Sequence, residues 1–298
     1  MDAQWDDLKV FLAVARNESL SAAGRVLKVD PATVGRRIAR LEETLKVALF
    51  AKSPQGYALT NGGQRLMSHA VRAEQEMLMA FEDVGERGRQ LSGQIRLGAP
   101  DGSANFLLPQ VCSGIVEQNP DLEVQIVALP RVINLSKREA DMAITVSAPT
   151  AGRLSVQKIS DYKLHLVASR KYLRNAAPIR SRDDLRHHRF IGYIQDMIFD
   201  KELDYLSEAG LDKVHLASNS FSVQFNWIRQ AAGIGFMHDF AIPFSRGLEK
   251  VLKDEISLTR SFYLVRHADD RRLERMNRFA EALAVGIKKE VARLEGQT

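Results

Sequence analysis

The sequence predicts an α/β protein whose N-terminal part is dominated by helices, joined through one long helix to a two-lobed α/β body. Three observations carry this expectation. Residues 5–46 show three short helical patterns separated by tight breaks, residues 61–91 show one long one-sided pattern, and strand and helix patterns alternate from Gln94 onward. The 298 residues carry a net charge of +5 and 45% hydrophobic side chains, enough to bury more than one core and too apolar for a disordered chain. Charged residues interrupt every hydrophobic run, so none reaches the roughly 18 to 20 apolar residues of a membrane span. The lone cysteine, Cys112, excludes an internal disulfide and fits the cytoplasm. The opening MDAQWDDLKVFLAVA is acidic ahead of its apolar stretch and reads as a first helix rather than a signal peptide.

In the first helical pattern Leu8, Phe11, Leu12 and Ala15 share one face. Ser19 is placed to cap the second helix, whose inner face carries Leu20, Ala23 and Leu27. Asp30-Pro31 opens the third: the carboxylate accepts orphan N–H groups, and proline at the first helical position has no donor to lose. Val34, Ile38, Leu41 and Leu45 then fall on one edge, which turns Ala32, Arg36 and Glu43 outward with Thr33 and Arg40 on a flank. Three helices this short, the third with a basic outer face, make a helix-turn-helix. Residues 25–52 hold seven basic and three acidic side chains, a local balance of +4 that says more about a nucleic-acid partner than the overall +5 does.

The stretch FAKSPQGYALT reads as two short strands around a Ser-Pro-Gln-Gly turn, a wing beside the third helix. Thr60 is placed to cap the long helix, in which Leu66, Ala70, Ala73, Met77, Phe81 and Val84 step by three or four. That stripe needs a partner, either a second copy of the same helix or the C-terminal domain. Beyond Leu91-Ser92-Gly93 come strands at QIRLGAP, EVQIVAL and ADMAITVS, with helices at 105–118 and 131–139. A second series follows: KLHLVAS, a helix near Lys171, FIGYI, a helix near 199–209, KVHLAS, a helix from Val223 to Ala232, and GIGFMHD, with FYLVR and a last helix over 269–293. Two such series imply two subdomains of mainly parallel sheet.

The segment SLSAAGRVLKVDPATVGRRIARLEETLKVALFAKSPQGYALTNGG resembles the DNA-binding region of the LysR-type transcriptional regulators. The match rests on Ser19, Ala22-Ala23, Leu27, Leu41-Glu42, Leu49-Phe50, Leu59-Thr60 and Gly63, and weaker matches at GQIRLGA, ADMAI, HLVAS, FIGY and AAGIGF extend it along nearly the whole chain. The resemblance implies a winged helix-turn-helix over residues 1–60, a linker and dimerisation helix over 61–92, and a periplasmic-binding-protein-like effector domain over 93–298. Its first lobe would comprise 93–162 with 266–298, and its second 163–265. The implied function is a regulator that binds promoter DNA as a homodimer or homotetramer and responds to a small effector held between the lobes. Contact with RNA polymerase is compatible with it, and a membrane partner or cofactor is not expected. Two alternatives stay open: a regulator of the same kind that needs no effector, and a small-molecule binding protein with an appended helical domain.

Carried over position by position, the DNA contacts would be Pro31, Ala32, Thr33, Gly35, Arg36, Arg37, Arg40, Lys52 and Gln55. The family usually has serine where Gly35 stands, often glutamine at Pro31, and arginine in the wing at Gln55. Readout is therefore expected to rest on Arg36 and Thr33, with Arg37, Arg40 and Lys52 on phosphates. A guanidinium bidentate to guanine is worth about 1 to 3 kcal/mol of discrimination. Ligands of open parallel sheets lie beyond the carboxyl ends of the strands, which selects Pro100, Asp101, Gly102, Ser103, Leu129, Val146, Ser147, Gln195, Ser220, Phe221 and His238 as effector residues. Gly102-Ser103, beside a helix start, is the candidate carboxylate site, and Asp101 argues against a strongly anionic ligand. The seven histidines are scattered without metal-ligand spacing, and the sequence shows no HExxH, P-loop or GxSxG, so no enzyme is expected.

Overall fold

The computed structural model describes residues 4–53, 56–84, 91–128, 139–150, 152–211 and 213–297. They fall into two compact units, one of residues up to 89 together with 269–274 and one of residues 90–268 together with those from 275 onward. The helix expected over 131–139 and the effector candidate Leu129 lie outside the described residues, apart from Glu139 at the end of that helix.

The first unit is α1 (Trp5–Asn17), α2 (Leu20–Leu27), α3 (Pro31–Leu45), a hairpin of β1 (Phe50–Ser53) and β2 (Gly56–Leu59), and α4 (Asn61–Val84). The starts of α2 and α3 are set by side-chain caps. Ser19 Oγ accepts from Ala22 N at 3.3 Å, and Asp30 Oδ1 accepts from Ala32 N at 2.7 Å with Pro31 behind it. Each of the first three helices stops at a left-handed residue, Glu18, Lys28 and Lys46. The core joins Val10, Phe11 and Val14 of α1 to Ala23, to Val34, Ile38 and Leu41 of α3, and to Leu49 and Phe50.

Polar contacts fix the hairpin to the helices. The Glu42 carboxylate accepts from the backbone N–H of Leu49 at 2.7 Å and of Phe50 at 3.1 Å, and Tyr57 N donates to Glu18 O at 2.9 Å. Thr60 uses its hydroxyl twice, donating to Ala48 O at 2.7 Å and accepting from Gly63 N at 3.0 Å. A side chain at Gly63 would put its Cβ 2.1 Å from Leu49 O, so only glycine lets α4 pass this close to the strand.

The expectation for α4 needs a correction. Ala70, read as part of an intermolecular seam, is fully buried in the core of this unit, and Leu66 packs half-buried against the same cluster. The Arg16 guanidinium holds Glu74 through two bonds, at 3.1 and 2.5 Å, tying α1 to α4. Periodicity shows that a helix face needs cover, and here the first turns of α4 find it within their own chain. Ala73 and Met77 are half-buried, while the side chains of Phe81 and Val84 lie outside the described set.

The second unit holds one mixed sheet, in the order β4-β3-β5-β11-β6-β9-β7-β8, with β10 paired to β6. Its strands are β3 (Gly93–Ala99), β4 (Leu122–Ala128), β5 (Met142–Thr145), β6 (Leu154–Ser169), β7 (Phe190–Gly192), β8 (Leu216–Ala217), β9 (Ile234–His238), β10 (Leu248–Val251) and β11 (Ser257–His267). The helices are α5 (Asp101–Phe106), α6 (Leu108–Gln118), α7 (Arg170–Asn175), α8 (Tyr205–Glu208), α9 (Phe221–Arg229) and α10 (Glu274–Glu295). β4, β3 and β5 run parallel in a first lobe, and β9, β7 and β8 run parallel in a second. The long strands β6 and β11 pair with each other and pass through both lobes: β11 meets β5 from Tyr263 to Arg266, and β6 meets β9 from Leu164 to Val167.

The sequence placed the return crossing at Val265-Arg266. Here β11 has already joined the first lobe at Tyr263, beside a register shift at Phe262/Tyr263, where a bulge bends the strand. The apolar edge of α10, Phe279, Leu283, Ile287 and Val291 among its residues, is buried.

Removing the Glu42 carboxylate leaves two backbone donors unpaired. Glu42→Ala is expected to lower stability by about 1.5–3 kcal/mol, and Glu42→Gln, which keeps an acceptor, by less. Urea denaturation of the full chain measures this, and an unchanged midpoint in Glu42→Ala would remove Glu42 as the tie between helix and wing.

Candidate nucleic-acid interface and interlobe site

Burial of Val34, Ile38 and Leu41 fixes which face of α3 is presented. Pro31, Ala32 and Arg36 are exposed on its first two turns, and Thr33 and Gly35 are half-buried. Arg36 Nη2 donates to Thr33 Oγ1 at 2.8 Å, so the hydroxyl steadies the guanidinium above the N-terminal end of the helix. Gly35 has room for a side chain: an added Cβ would meet only Leu20 Cδ1, at 3.4 Å.

One basic residue, Arg40, departs from the expectation of a phosphate contact. Arg40 donates from Nε to Asp7 Oδ2 at 2.8 Å and from Nη2 to the other oxygen of the same buried carboxylate, with a further bond to Gln4 Oε1 at 3.3 Å. Arg40 is thus the counter-ion of a carboxylate that has lost most of its water, which fixes α3 to α1 and takes its charge out of the free basic face. Arg37 lies 3.8 Å from the exposed Asp6, a contact loose enough to exchange for a phosphate. The backbone of Lys52 stands in β1 and its side chain lies outside the described set, as does Gln55 entirely.

The effector candidates separate into two places. Pro100, Val146 and Ser147 line a cavity of about 450 Å³ shared by the lobes, together with Thr145, Phe199 and Asp200. The Ser147 hydroxyl donates to Asp200 Oδ2 across the lobes, and Asp200 Oδ1 accepts from Glu202 N at 3.0 Å. Phe199 and Asp200 were not singled out from sequence, which put them at the start of a helix near 199–209; here they precede a short 3-10 turn, Lys201–Leu203, and the helix is only Tyr205–Glu208.

Asp101, Gly102, Ser220, Phe221 and His238 meet elsewhere, where α5 faces α9. Asp101 Oδ2 accepts from Ser222 N at 2.7 Å and from Ser220 Oγ at 3.0 Å, so a first-lobe carboxylate satisfies donors at the start of a second-lobe helix. Phe106 adds apolar cover, with ring centroids 5.6 Å from Phe221, 4.8 Å from Phe225 and 5.3 Å from Phe244.

The expected carboxylate site at Gly102-Ser103 has the His238 ring on one side of it. A Cβ on Gly102 would lie 2.7 Å from His238 Cε1, so the imidazole fills the space in front of it, and Ser103 Oγ donates to Pro100 O at 3.0 Å within its own turn. Gln195 is exposed and reaches Asp204 at 3.4 Å. His238 itself is buried, stacked on Phe240 at 4.8 Å, and its Nδ1 has no hydrogen-bond partner among the described residues. Burial pushes its pKa down to about 3. Burial also pushes the Cys112 thiol up to about 11, which keeps it protonated and unreactive.

Residues 5–64 match the family described as bacterial regulatory helix-turn-helix protein, lysR family, and residues 88–286 match the LysR substrate binding domain. The chain belongs to the LysR family. It is a LysR-type transcriptional regulator, with an N-terminal helix-turn-helix domain and an effector-binding domain. It is 28% identical over 243 residues to the HTH-type transcriptional activator TtdR of Escherichia coli, covering 80% of this chain and 78% of the relative. With the HTH-type transcriptional regulator PtxR of Pseudomonas aeruginosa it shares 24% identity over 240 residues, 79% of this chain and 76% of the relative. In fold this LysR protein resembles full-length OxyR from Pseudomonas aeruginosa, with a TM-score of 0.73 at 16% identity over 96% of this chain and 95% of that one. It also resembles ArgP from Mycobacterium tuberculosis, with a TM-score of 0.70 at 18% identity over 96% and 97% of the two chains. No helix among its described residues is long and apolar enough to cross a membrane.

In this LysR regulator the neutral His238 makes stability depend on pH. Between about 3 and its ordinary 6.5, the folded chain binds fewer protons at His238 than the unfolded chain does, so its contribution is full above 6.5 and is lost as pH falls toward 3. His238→Phe should flatten unfolding free energy against pH in that window by up to about 1.4 kcal/mol per pH unit. Denaturant titrations at several pH values measure the slope, and equal slopes in the two proteins would contradict the assignment.

Proposed function

We propose that this regulator reads promoter DNA with the first two turns of α3, as a dimer joined through the far part of α4, and changes conformation when a small molecule fills the interlobe cavity. The observation that carries the reading is the orientation of α3: its apolar edge is buried while Pro31, Ala32 and the Thr33-steadied Arg36 point outward. Placed in a major groove, Arg36 supplies a bidentate donor pair for guanine, and the small apolar surface of Pro31 and Ala32 allows close approach to neighbouring base edges. Arg37 and Lys52 serve as phosphate contacts, which position the protein without reading sequence.

The dimer seam proposed here comprises Ala73, Met77, Phe81 and Val84, since Leu66 and Ala70 are used inside the chain. Two-fold symmetry then gives two half-sites on one face of the duplex. The effector acts through unequal affinity for two arrangements of the lobes. The bonds from Asp101 to α9 and from Ser147 to Asp200 join the lobes, so they are the contacts such a change would remake.

Fluorescence anisotropy with the DNA upstream of its own gene, across salt concentrations, tests the DNA-reading part. Arg36→Ala is expected to cost about 1–3 kcal/mol of preference for that DNA over a scrambled duplex while the protein stays folded. Arg37→Ala should weaken binding to both duplexes alike and lower the salt slope by about 1. Undiminished preference in Arg36→Ala would refute the role given to that side chain.

A further inference from the structure

We infer that the interlobe cavity selects small, largely apolar molecules that present a hydrogen-bond donor, as amines and alcohols do, and rejects carboxylates. This rests on reading that cavity as the effector site, and names the chemistry it takes.

Among the described residues, two places where an anion could be held between the lobes are already occupied. The start of α9 is capped by the Asp101 carboxylate, and the space in front of Gly102 is filled by an uncharged imidazole. A ligand carboxylate would have to displace a carboxylate that is covalently part of the chain and held at high effective concentration.

The cavity wall points the same way. Pro100, Ile144, Val146 and Phe199 give it an apolar body, and hydroxyls come from Thr145, Ser147 and Thr150. The Thr145 hydroxyl is committed to Ser147 O at 2.7 Å. The half-buried carboxylate is Asp200, whose partners are two neutral donors, the Ser147 hydroxyl and the Glu202 N–H. Glu202 next to it is matched by Arg260 at 3.0 Å, whereas Asp200, the carboxylate that lines the cavity, is paired with no cation among the described residues. Lys201 also borders the cavity, but it is exposed, and an ammonium in water is screened more strongly than a half-buried carboxylate.

An incoming ammonium or hydroxyl can therefore take over the acceptor now used by Ser147, opening the Ser147–Asp200 bond while its apolar body fills the cavity. A carboxylate in the same position meets Asp200 with like charge and offers no donor.

The test uses the full-length protein and matched triplets that share one apolar body and differ in the polar group, 2-phenylethylamine, 2-phenylethanol and phenylacetate among a set of alkyl and aryl homologues. Calorimetry and thermal shift are read on the wild type and on Asp200→Asn, which keeps the side-chain shape and the acceptor for Glu202. The expected result is that amines or alcohols bind the wild type at least about tenfold tighter than their matched carboxylates, and that Asp200→Asn abolishes most of an amine's preference. Tighter binding of carboxylates would overturn the selectivity and leave the effector reading intact. Binding of no member of any triplet would overturn both, and an amine preference untouched by Asp200→Asn would overturn the role of Asp200.

Discussion

The burial of one edge of α3 is the constraint on which the N-terminal unit depends. Val34, Ile38 and Leu41 have no exposed alternative, and once they face α1 and α2 the opposite side of the helix is presented by geometry. The polar contacts follow from that placement. Arg40 falls beside Asp7 and becomes the counter-ion of a buried carboxylate, and Glu42 falls beside the start of β1, where it takes two backbone donors. Thr60 and Gly63 then bring α4 against the same strand. The motif residues that single out this segment are thus its fasteners, and Arg36 is among the side chains left exposed on α3.

A related logic operates between the lobes of the second unit, where each lobe supplies what the other lacks. Donors at the start of α9 are satisfied by Asp101, and Asp200 is bonded by Ser147. Such bonds join the lobes beside the Phe106 contacts, and each can be exchanged for a bond to a ligand or to water. The two long strands β6 and β11 pass through both lobes and keep the backbone continuous, with one register shift near Phe262.

Local features were readable from the sequence and long-range ones were not. Ser19, Asp30-Pro31 and Thr60 announce helix starts because the capping bond spans two or three residues. The central part of the alternating strand and helix order was readable because runs such as QIRLGA and GIGFMH are continuous and apolar. The start of β6 was missed because Leu154–Asp161 mixes exposed polar residues with few apolar ones, and β10 because four residues give no period. The role of Arg40 depends on Asp7, 33 residues away, and that of Asp101 on a partner 121 residues away, distances at which no sequence spacing speaks. The stripe on α4 shows the other limit: Ala70 and Met77 look alike as members of a period, yet Ala70 belongs to the core of its own chain.

The central claim is that α3 reads base edges in the major groove through Arg36. It is tested most directly by methylation interference on the DNA upstream of the gene, where a methyl group on guanine N7 blocks the edge a guanidinium would contact. The expected result is interference at guanines in two half-sites separated by whole turns of about 10–10.5 base pairs, disappearing in Arg36→Ala. Interference confined to adenine N3 in the minor groove, or the same guanine pattern in Arg36→Ala, would contradict it.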